Sequence, residues 1–472
     1  MTDRVHLERD GHVAVIVIDN PPITSATLAF DDAMAKDRAV FQMLRVSREA
    51  LALRHQFFAE RESGKQPALA GVSPRAVQRL LVIGAGTMGS GIAIAALDAG
   101  FDVTLLEQDD AALQRGVARI HEHYAGRVAA GKVKAAAAAA SEARLRSTTD
   151  WTAMAEVDMV IEAVFEDLAV KQEVFRRIDG IARPGAVLAS NTSYLDLDAI
   201  ACATSRPQDV VGLHFFSPAN VMRLLEVVRG DKTAPEVMAT GLDVARRLRK
   251  LPVVTANAFG FVGNRIYSAY RRQCEFMLEE GALPQQVDAA LEAFGFAMGP
   301  FSVADMSGLD IAWRMRQSQA ATRDPAARYV RIPDLLCEAG RLGRKTGAGY
   351  YLYDAGGGKS VRQPDPQVQR IIESASVAKD IARRSFSDDE IQRRALLAMV
   401  NEAALLLGEG VAQRASDVDV VLVNGYGFPR WEGGPVFWAR DRGQEALQSD
   451  LDGLAEVGGS GFIRGDLRHV LT

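Results

Sequence analysis

Residues 79–107 read RLLVIGAGTMGSGIAIAALDAGFDVTLLE, in which three glycines stand between an apolar strand and an apolar helix. In such a turn the first glycine permits a tight bend, the second lets the backbone approach a pyrophosphate, and the third allows the helix to pack on the strand. The phosphates then lie on the unpaired N–H groups of the first helical turn. The pattern therefore predicts a dinucleotide-binding βαβ unit. Its predicted cofactor-binding residues are Gly84, Gly86, Thr87, Met88 and Gly89.

The second strand of this unit ends on an acid, Glu107, which stands 21 residues after Gly86. A carboxylate at this point accepts hydrogen bonds from both ribose hydroxyls of NAD and repels the 2′-phosphate of NADP. The next residue is Gln108 rather than an arginine that would bind this phosphate. The sequence therefore predicts NAD as the cofactor.

Composition limits the classes of protein to which the chain can belong. Its 472 residues exceed what one hydrophobic core usually organises, so two or three domains are expected. The net charge of −5, without Lys/Arg runs, gives no sign of a nucleic-acid partner. The cysteines Cys202, Cys274 and Cys337 lack the spacing of a metal site. We therefore predict no metal and a reducing compartment.

The ends of the chain carry no recognisable targeting signal. The start, MTDRVHLERDGH, lacks the basic and apolar regions of a signal peptide, and the end, RHVLT, lacks a peroxisomal tripeptide. No apolar stretch reaches the length needed to cross a bilayer. We therefore expect a cytoplasmic protein without a membrane partner.

The order of the elements predicts two kinds of domain. Strands and helices alternate from Arg79 to about Thr255, which predicts a mostly parallel, doubly wound sheet. After Asn257 the apolar residues recur at helical spacing. In this part MLEEG, QVDAALEAFGF and MGP at residues 277–300 are echoed by LLGEG, DVDVVLVNGYGF and GGP at residues 406–435. The predicted fold is an α/β Rossmann-like NAD-binding domain followed by an all-α C-terminal region in two repeats.

The beginning of the chain differs in character from the rest. One strand is predicted in HVAVIVIDNPPI, and a charged amphipathic helix follows from about Asp32 to Arg61. Leu44, Leu51 and Phe58 recur every seven residues and form its apolar stripe. So short a segment is expected to pack on the rest of the chain.

The stretch DAGGGKSVRQPDP is predicted to link the two helical copies. The predicted domains are 1–30 with the strand, 31–77 with the linker helix and a loop, 78–256 with the sheet, 257–365 with the first helical copy, and 366–472 with the second.

Polar residues stand at the carboxyl ends of strands, where an open α/β sheet binds its ligands. His214 follows VVGL and is the one histidine of seven in such a position. Glu226 lies in the apolar strand LLEVV, where a carboxylate is buried only with a partner. A histidine held by a carboxylate takes a hydroxyl proton while a hydride leaves to nicotinamide. The pair therefore predicts hydride-transfer chemistry.

Several motifs follow one another along the chain: VIGAGTMGSGIA, VIEAVFEDLAVKQEVF, SNTS, GLHFFSPANVMRLLEVV, GFVGNRI, GRKTGAGYY and NGYGFPRWEGGP. In these motifs the chain resembles the L-3-hydroxyacyl-CoA dehydrogenase part of the multifunctional enzymes of fatty acid β-oxidation, both the peroxisomal bifunctional type and the bacterial α-subunit. The resemblance covers about residues 38–472. It implies NAD-dependent oxidation of 3-hydroxyacyl-CoA to 3-ketoacyl-CoA.

The resemblance also implies roles for individual residues. His214 is similar to the family's catalytic base, and Glu226 is similar to its acid partner. Ser193 and Asn264 match the residues that hydrogen-bond the C3 oxygen of the substrate. The further positions that match cofactor contacts are Glu166, Lys171, Ser193, Ser217 and Lys345.

The sequence departs from the family at two places. His123 and Ala130 stand where monofunctional relatives have a Ser and a Lys against CoA. The cations near these positions are Arg127, Lys132 and Lys134. HVAVIVIDNPPI resembles the first strand of a crotonase domain, and the catalytic body of that domain is missing. Residues 1–30 therefore resemble a remnant of a crotonase domain, and no enoyl-CoA hydratase activity is expected. The implied partners are 3-hydroxyacyl-CoA and a thiolase, and the second helical copy is expected to replace a dimer partner and give a monomer.

Two other functions fit parts of the sequence. A β-hydroxyacid dehydrogenase also joins a Rossmann domain to helices, but it relies on a lysine, and NTS, HFFSP and GFVGNR argue against it. A catalytically weak scaffold subunit of a β-oxidation complex would keep the fold without turnover. Every expected catalytic position is filled, which favours the enzyme.

Overall fold

The computed structural model describes residues 5–10, 13–18, 30–321, 323–353 and 361–471. The strands in these ranges are β1 Val5–Asp10, β2 Val13–Ile18, β3 Arg79–Ile83, β4 Asp102–Leu106, β5 Leu145–Thr148, β6 Met159–Glu162, β7 Val187–Ser190, β8 Val210–Phe215, β9 Leu224–Arg229, β10 Leu251–Ala256, β11 Tyr351–Tyr353 and β12 Arg362–Pro364.

The α-helices in the same ranges are α1 Phe30–Arg45, α2 Arg48–Glu62, α3 Thr87–Asp98, α4 Asp110–Ala129, α5 Ala135–Glu142, α6 Leu168–Ile181, α7 Leu197–Ala201, α8 Pro235–Arg247, α9 Gly263–Glu280, α10 Pro284–Phe294, α11 Pro300–Ser307, α12 Leu309–Ser318, α13 Ile332–Glu338, α14 Pro366–Val377, α15 Asp388–Gly408, α16 Ala415–Gly425, α17 Pro435–Arg442, α18 Gln444–Gly458 and α19 Arg468–Leu471. In the part of the chain described, none of them combines the length and apolar character needed to span a membrane.

Eight strands form one sheet in the order β10-β9-β8-β7-β6-β3-β4-β5. The six strands from β8 to β5 are parallel, whereas β9 pairs with β8 in the antiparallel sense and β10 runs parallel to β9. The strand order reverses between β3 and β6, which leaves a crevice for a ligand at the carboxyl edge. The mostly parallel, Rossmann-like sheet predicted from the sequence is confirmed.

Two small parts of the β structure are not visible in the sequence pattern. The edge strand β5 has the polar, partly exposed sequence LRST, which lacks the apolar signature of the central strands. The antiparallel pair β11 and β12 lies in a region predicted to be helical, and β12 falls within the predicted linker. Residues 354–360 of that linker lie outside the described residues.

Two sets of helices follow the sheet and repeat one structural device. In the first set, the carboxylate of Asp288 accepts two backbone N–H groups at the start of α11, both at 3.0 Å. In the second set, Asp419 accepts two N–H groups at the start of α17, at 2.7 and 3.2 Å. A carboxylate at this position satisfies the unpaired donors of a helix N-terminus. The predicted helical C-terminal region is confirmed, its two sets of helices share this device, and α9 and α15 pack along each other within one hydrophobic core.

The segment before the sheet corrects the expectation from the sequence. β1 and β2 form an antiparallel pair, where the sequence predicts a single strand. The predicted long helix is divided into α1 and α2, and Ser47 caps α2 by accepting the N–H of Ala50 at 3.2 Å. A serine that caps a helix interrupts the preceding one, because its backbone is extended. The end of the predicted strand HVAVIVIDNPPI lies in residues 19–29, outside the described residues.

The prediction that the apolar stripe of the linker helix packs on the core is wrong. Leu51 is 45% exposed and Phe58 is 60% exposed. Helix α2 instead buries Ala52, Gln56 and Ala59 against the second helical set. The heptad spacing identified one face of the helix, but polar contacts decide which face is covered: Gln56, for example, donates to a backbone carbonyl at 2.8 Å.

Candidate active site

Strands β8 and β9 place a histidine and a glutamate side by side. Their antiparallel register sets His214 directly opposite Glu226, so both side chains leave the same face of the sheet. The Nδ1 atom of His214 lies 2.7 Å from Oε2 of Glu226. His214 is 4% exposed, and Glu226 is fully buried. Because Nδ1 carries the proton and donates a hydrogen bond to the carboxylate, Nε2 of the neutral ring can accept a proton.

The second carboxylate oxygen of Glu226 holds the start of helix α9. Its Oε1 atom accepts the N–H groups of Val262 and Gly263, at 3.1 and 3.0 Å. The N-terminus of a helix favours a negative charge, since its first N–H groups have no partner within the helix. The carboxylate of Glu226 is therefore held between His214 and the start of α9.

Asn264, the next residue of α9, joins this pair to the loop after β7. Its Nδ2 atom donates to the backbone carbonyl of Ser193 at 3.3 Å, and its Oδ1 atom accepts the hydroxyl of Tyr426 at 2.7 Å. The ring of Phe216 has its centroid 4.6 Å from that of His214 and 5.7 Å from that of Tyr426. The structure therefore brings Asn264 to the backbone of Ser193, and Tyr426 and Phe216 lie between Asn264 and the histidine.

The glycine turn has the close packing that its sequence predicts. Gly84 has a φ of +101°, and a Cβ atom there would lie 2.7 Å from the carbonyl oxygen of Ala163. A Cβ atom on Gly89 would lie 1.8 Å from the carbonyl oxygen of Gly84, so neither glycine can be replaced without moving backbone. Glu107 reaches the same turn, where its Oε2 atom accepts the N–H of Ala85 at 3.1 Å.

The first turn of α3 is open to a ligand. Gly86 and Thr87 are exposed, and Met88 is partly buried. Among the described residues, no atom outside the immediate chain neighbours of Gly86 lies within 4 Å of the position that a Cβ atom on it would occupy. Open space over a helix N-terminus fits the pyrophosphate of a dinucleotide. These residues could therefore hold NAD.

Glu166 lies in the loop after β6 and is bound from two directions. Its Oε1 atom accepts the hydroxyl of Thr192 and the N–H of Ser193, both at 2.7 Å. Burial raises the pKa of Glu166, but the charge of Lys171 and these hydrogen bonds outweigh burial and lower the pKa below its usual value. Glu166 therefore carries a negative charge beside Ser193.

Lys171 is fully buried among acidic side chains. Its ammonium lies 2.7 Å from Glu162 and 3.4 Å from Glu166. Glu162 also accepts the hydroxyl of Ser190 at 2.6 Å. Since Lys171 has no exposed surface, its predicted effect on a cofactor has to pass through Glu166.

Two further predicted cofactor residues lie on either side of the cleft. Ser217 is exposed directly after the histidine strand. The side chain of Lys345 is 50% exposed and lies 2.5 Å from Asp310, near the start of α12. The guanidinium of Arg314, on the same helix, lies 5.6 Å from the ring centroid of Phe165 in the loop after β6. Lys345 therefore belongs to the helical side of the cleft.

The predicted CoA-binding positions lie on α4 and the loop that follows it. His123 is partly buried and makes a 3.5 Å contact with Asn220. Arg127 lies 2.8 Å from Asp98, whereas Lys132 and Lys134 are exposed. The two lysines are therefore the better placed of these cations to meet a phosphate.

Two residues near the site are missed by reasoning from the sequence. Tyr426 stands in the second copy where the first copy has Phe294. The hydroxyl that Tyr426 has and Phe294 lacks is the feature of the sequence that could have pointed to this residue. Arg119 of α4 donates to the carbonyl of Ala85 at 3.3 Å and to the hydroxyl of Ser90 at 3.1 Å. It fixes the glycine turn, but nothing in its sequence neighbourhood indicates this contact.

The crevice of the Rossmann-like sheet and the histidine at its carboxyl edge define the class, a nicotinamide-dependent dehydrogenase. The family model for the 3-hydroxyacyl-CoA dehydrogenase NAD binding domain matches residues 79–258. The model for the C-terminal domain of the same enzymes matches residues 260–353. The chain belongs to the 3-hydroxyacyl-CoA dehydrogenase family, and its cofactor is NAD.

Individual relatives agree with this assignment. The peroxisomal bifunctional enzyme of Danio rerio is 40% identical over 449 residues, which are 91% of this chain and 61% of that protein. FadB2 of M. tuberculosis is 38% identical with a TM-score of 0.55, over 59% of this chain and 100% of that structure. A 3-hydroxybutyryl-CoA dehydrogenase of Escherichia coli is 27% identical with a TM-score of 0.68, over 80% and 94%. The chain thus spans less than two thirds of the length of the bifunctional relative.

Proposed function

We propose that the chain is an NAD-dependent (S)-3-hydroxyacyl-CoA dehydrogenase that acts in fatty acid β-oxidation. The observation that carries the proposal is the 2.7 Å contact between His214 and Glu226 at the carboxyl end of β8. Family membership and the names of the relatives support the class of substrate.

The chemistry follows from the hydrogen bonds of the site. Nε2 of His214 takes the proton of the C3 hydroxyl, and Glu226 stabilises the imidazolium that results. Ser193 and Asn264 hydrogen-bond the C3 oxygen and orient it toward the histidine. NAD, when bound, accepts the hydride that leaves C3. C3 thus loses a hydride, its oxygen loses a proton, and the secondary alcohol becomes a ketone.

Lys171, the lysine beside the proposed cofactor site, gives no support to the β-hydroxyacid dehydrogenase alternative. Enzymes of that kind rely on a lysine, but Lys171 has no exposed surface and is paired with Glu162 at 2.7 Å. A buried, paired ammonium is not available to a substrate. The histidine pair therefore remains the better supported catalytic group.

Turnover by the purified chain tests the proposal. Acetoacetyl-CoA should be reduced with oxidation of NADH, and 3-hydroxybutyryl-CoA should be oxidised with NAD. A chain that binds NAD but turns over neither substrate would support the scaffold alternative. Crotonyl-CoA without nicotinamide should stay unchanged, and loss of its enoyl absorbance above a heat-killed control would contradict the predicted absence of hydratase activity.

The proposal includes a monomeric chain. Helix α15 of the second copy packs along α9 of the first and buries it in one core, as a partner subunit would. Light scattering should give one chain per particle. Deletion of residues 366–472 should expose the apolar face of α9 and produce dimers or aggregates. A stable wild-type dimer that uses the face of α9 would contradict the proposal.

The cellular setting stays a prediction. A thiolase partner follows from the resemblance, because thiolysis consumes 3-ketoacyl-CoA, and co-purification with a thiolase tests it. The cytoplasmic location predicted from the sequence receives no support from the relatives, since the bifunctional relative is named as peroxisomal.

A further inference from the structure

Two side chains hold the carbonyl group of Ala85 in the glycine turn. This carbonyl belongs to the peptide bond between Ala85 and Gly86, directly before α3. It accepts the hydroxyl of Ser90 at 3.1 Å and Nη1 of Arg119 at 3.3 Å. The same nitrogen of Arg119 also donates to the hydroxyl oxygen of Ser90 at 3.1 Å. A carbonyl oxygen has two lone pairs, so its capacity for hydrogen bonds is filled within the protein.

Arg119 reaches this carbonyl because helix α4 lies directly against the turn. Gly116 stands three residues before Arg119, and a Cβ atom on it would lie 2.6 Å from Cβ of Ala85 and 2.7 Å from its carbonyl oxygen. A residue without a side chain is therefore required for this close approach. The ion pairs of α4 among the described residues are those of His121 and Arg127, so no carboxylate draws Arg119 away from the turn.

The direction of this carbonyl fixes the direction of the next N–H group. The peptide bond between Ala85 and Gly86 is planar and trans, so the N–H of Gly86 points the opposite way from the carbonyl oxygen. Among the residues that the structure describes, this N–H has no hydrogen-bond acceptor. Gly86 is exposed at the open first turn of α3. Its N–H is therefore a donor that the pyrophosphate of NAD can use.

The peptide bond before a glycine can flip unless other groups hold it. A flip of the bond between Ala85 and Gly86 would change the φ of Gly86 from −69° to a positive value. Glycine adopts positive φ values as readily as negative ones, so its own backbone offers no resistance. The flip would turn the carbonyl oxygen of Ala85 toward the ligand in place of the N–H. It would also break the bonds from Ser90 and Arg119, which therefore preserve the orientation of the donor.

We propose that Arg119 is a positioning residue of the cofactor site, which keeps the N–H of Gly86 directed at the pyrophosphate of NAD by holding the carbonyl of Ala85. The inference concerns the binding of NAD and does not depend on the acyl-CoA substrate of the proposed function. Ser90 holds the same carbonyl, but its side chain is fully buried. Arg119 is exposed, so it can be replaced without leaving a cavity in the core.

Binding of NADH to the full chain, without an acyl-CoA, tests the proposal. In a fluorescence titration, Arg119→Gln should raise the Kd of NADH about tenfold, because one donor to the pyrophosphate loses its orientation. Arg119→Lys keeps one charged donor and should restore part of the affinity. ADP-ribose keeps the pyrophosphate and should lose the same factor in competition with NADH. Adenosine lacks the pyrophosphate and should bind Arg119→Gln and the wild type equally.

Arg115→Gln is the matched control. Arg115 lies four residues earlier on the same helix, is also exposed, and makes no hydrogen bond to the turn among the described residues. Its replacement removes the same charge from α4, and the Kd of NADH should stay at the wild-type value.

Three results would overturn the proposal. The first is an unchanged Kd of NADH in Arg119→Gln. The second is an equal loss of affinity in Arg115→Gln, which would assign the effect to the positive charge of α4 in general. The third is an equal loss for adenosine, which would mean that the whole turn is distorted. Because NADH binding is measured without substrate, a chain that fails to turn over 3-hydroxyacyl-CoA would contradict the proposed function and leave this inference intact.

Discussion

Two histidine–carboxylate pairs in the molecule are built alike. His214 lies 2.7 Å from Glu226, and His55 of α2 lies 2.8 Å from Asp419. Glu226 and Asp419 are both fully buried, and each also accepts two backbone N–H groups at the start of a helix. The first pair stands at the carboxyl edge of the sheet, whereas the second joins the linker helix to the second helical copy.

The difference between the pairs lies in the free nitrogen and its surroundings. His214 bonds through Nδ1, which leaves Nε2 available as a proton acceptor, and its ring centroid lies 4.6 Å from that of Phe216. His55 bonds through Nε2, and its ring packs 5.1 Å from that of Phe437. We propose that the same arrangement of a carboxylate and a histidine is a structural device at His55 and catalytic machinery at His214.

The largest effect should separate the two histidines. His214→Gln should lower kcat with acetoacetyl-CoA by about two to four orders of magnitude, because the general base is lost. NAD binding, followed by fluorescence titration, should remain near wild type. His55→Gln is the matched control, which should keep kcat and lower the melting temperature. Loss of turnover in a folded His55→Gln variant would contradict the purely structural role of His55.

The two acids should divide in the same way. Glu226→Gln should lower kcat by about tenfold to a hundredfold, since the imidazolium loses its stabilising charge. Asp419→Asn should leave kcat unchanged and cost about 1–3 kcal/mol of unfolding free energy, because buried hydrogen bonds are lost. Kinetics and urea unfolding of both variants measure these effects. A kcat for Glu226→Gln equal to that of the wild type would show that turnover does not need the charge of Glu226.

The cofactor side sharpens the comparison, because a catalytic pair requires nicotinamide beside it. The wild type should prefer NADH to NADPH through Glu107. Glu107→Ala should reduce this preference by about tenfold, as the ribose hydrogen bonds and the repulsion of a 2′-phosphate are lost. The ratio of kcat/KM values for the two cofactors is the measurement. Equal kcat/KM values of the wild type for NADH and NADPH would show that Glu107 does not contact the cofactor.

The smallest effect concerns the residue that the second copy supplies. Tyr426→Phe removes the hydroxyl that donates to Asn264 at 2.7 Å and should lower kcat by about fivefold. Its matched control, Phe294→Tyr, adds a hydroxyl at the corresponding position of the first copy and should leave kcat unchanged. A fall in the melting temperature of Tyr426→Phe without any fall in kcat would make this tyrosine purely structural.

The sequence predicts the elements that are long or chemically distinctive. The glycine turn, the central strands and the His214–Glu226 pair each carry a strong local pattern, and the structure has all three. The polar edge strand β5 carries no such pattern. The role of Tyr426 depends on where the second copy packs, which no local pattern encodes. The linker helix shows the same limit, because its apolar spacing did not reveal which face is covered.

The bond between Glu226 and the start of α9 has a consequence for how the cleft opens. The carboxylate ties the backbone of Val262 and Gly263 to strand β9, so a rotation of the helices against the sheet has its axis near these two residues. Asn264, one residue beyond, then stays close to the histidine throughout the motion. Lys345 lies near the start of α12, away from this bond. We therefore expect the cofactor edge to open for exchange while the proton-transfer centre keeps its geometry.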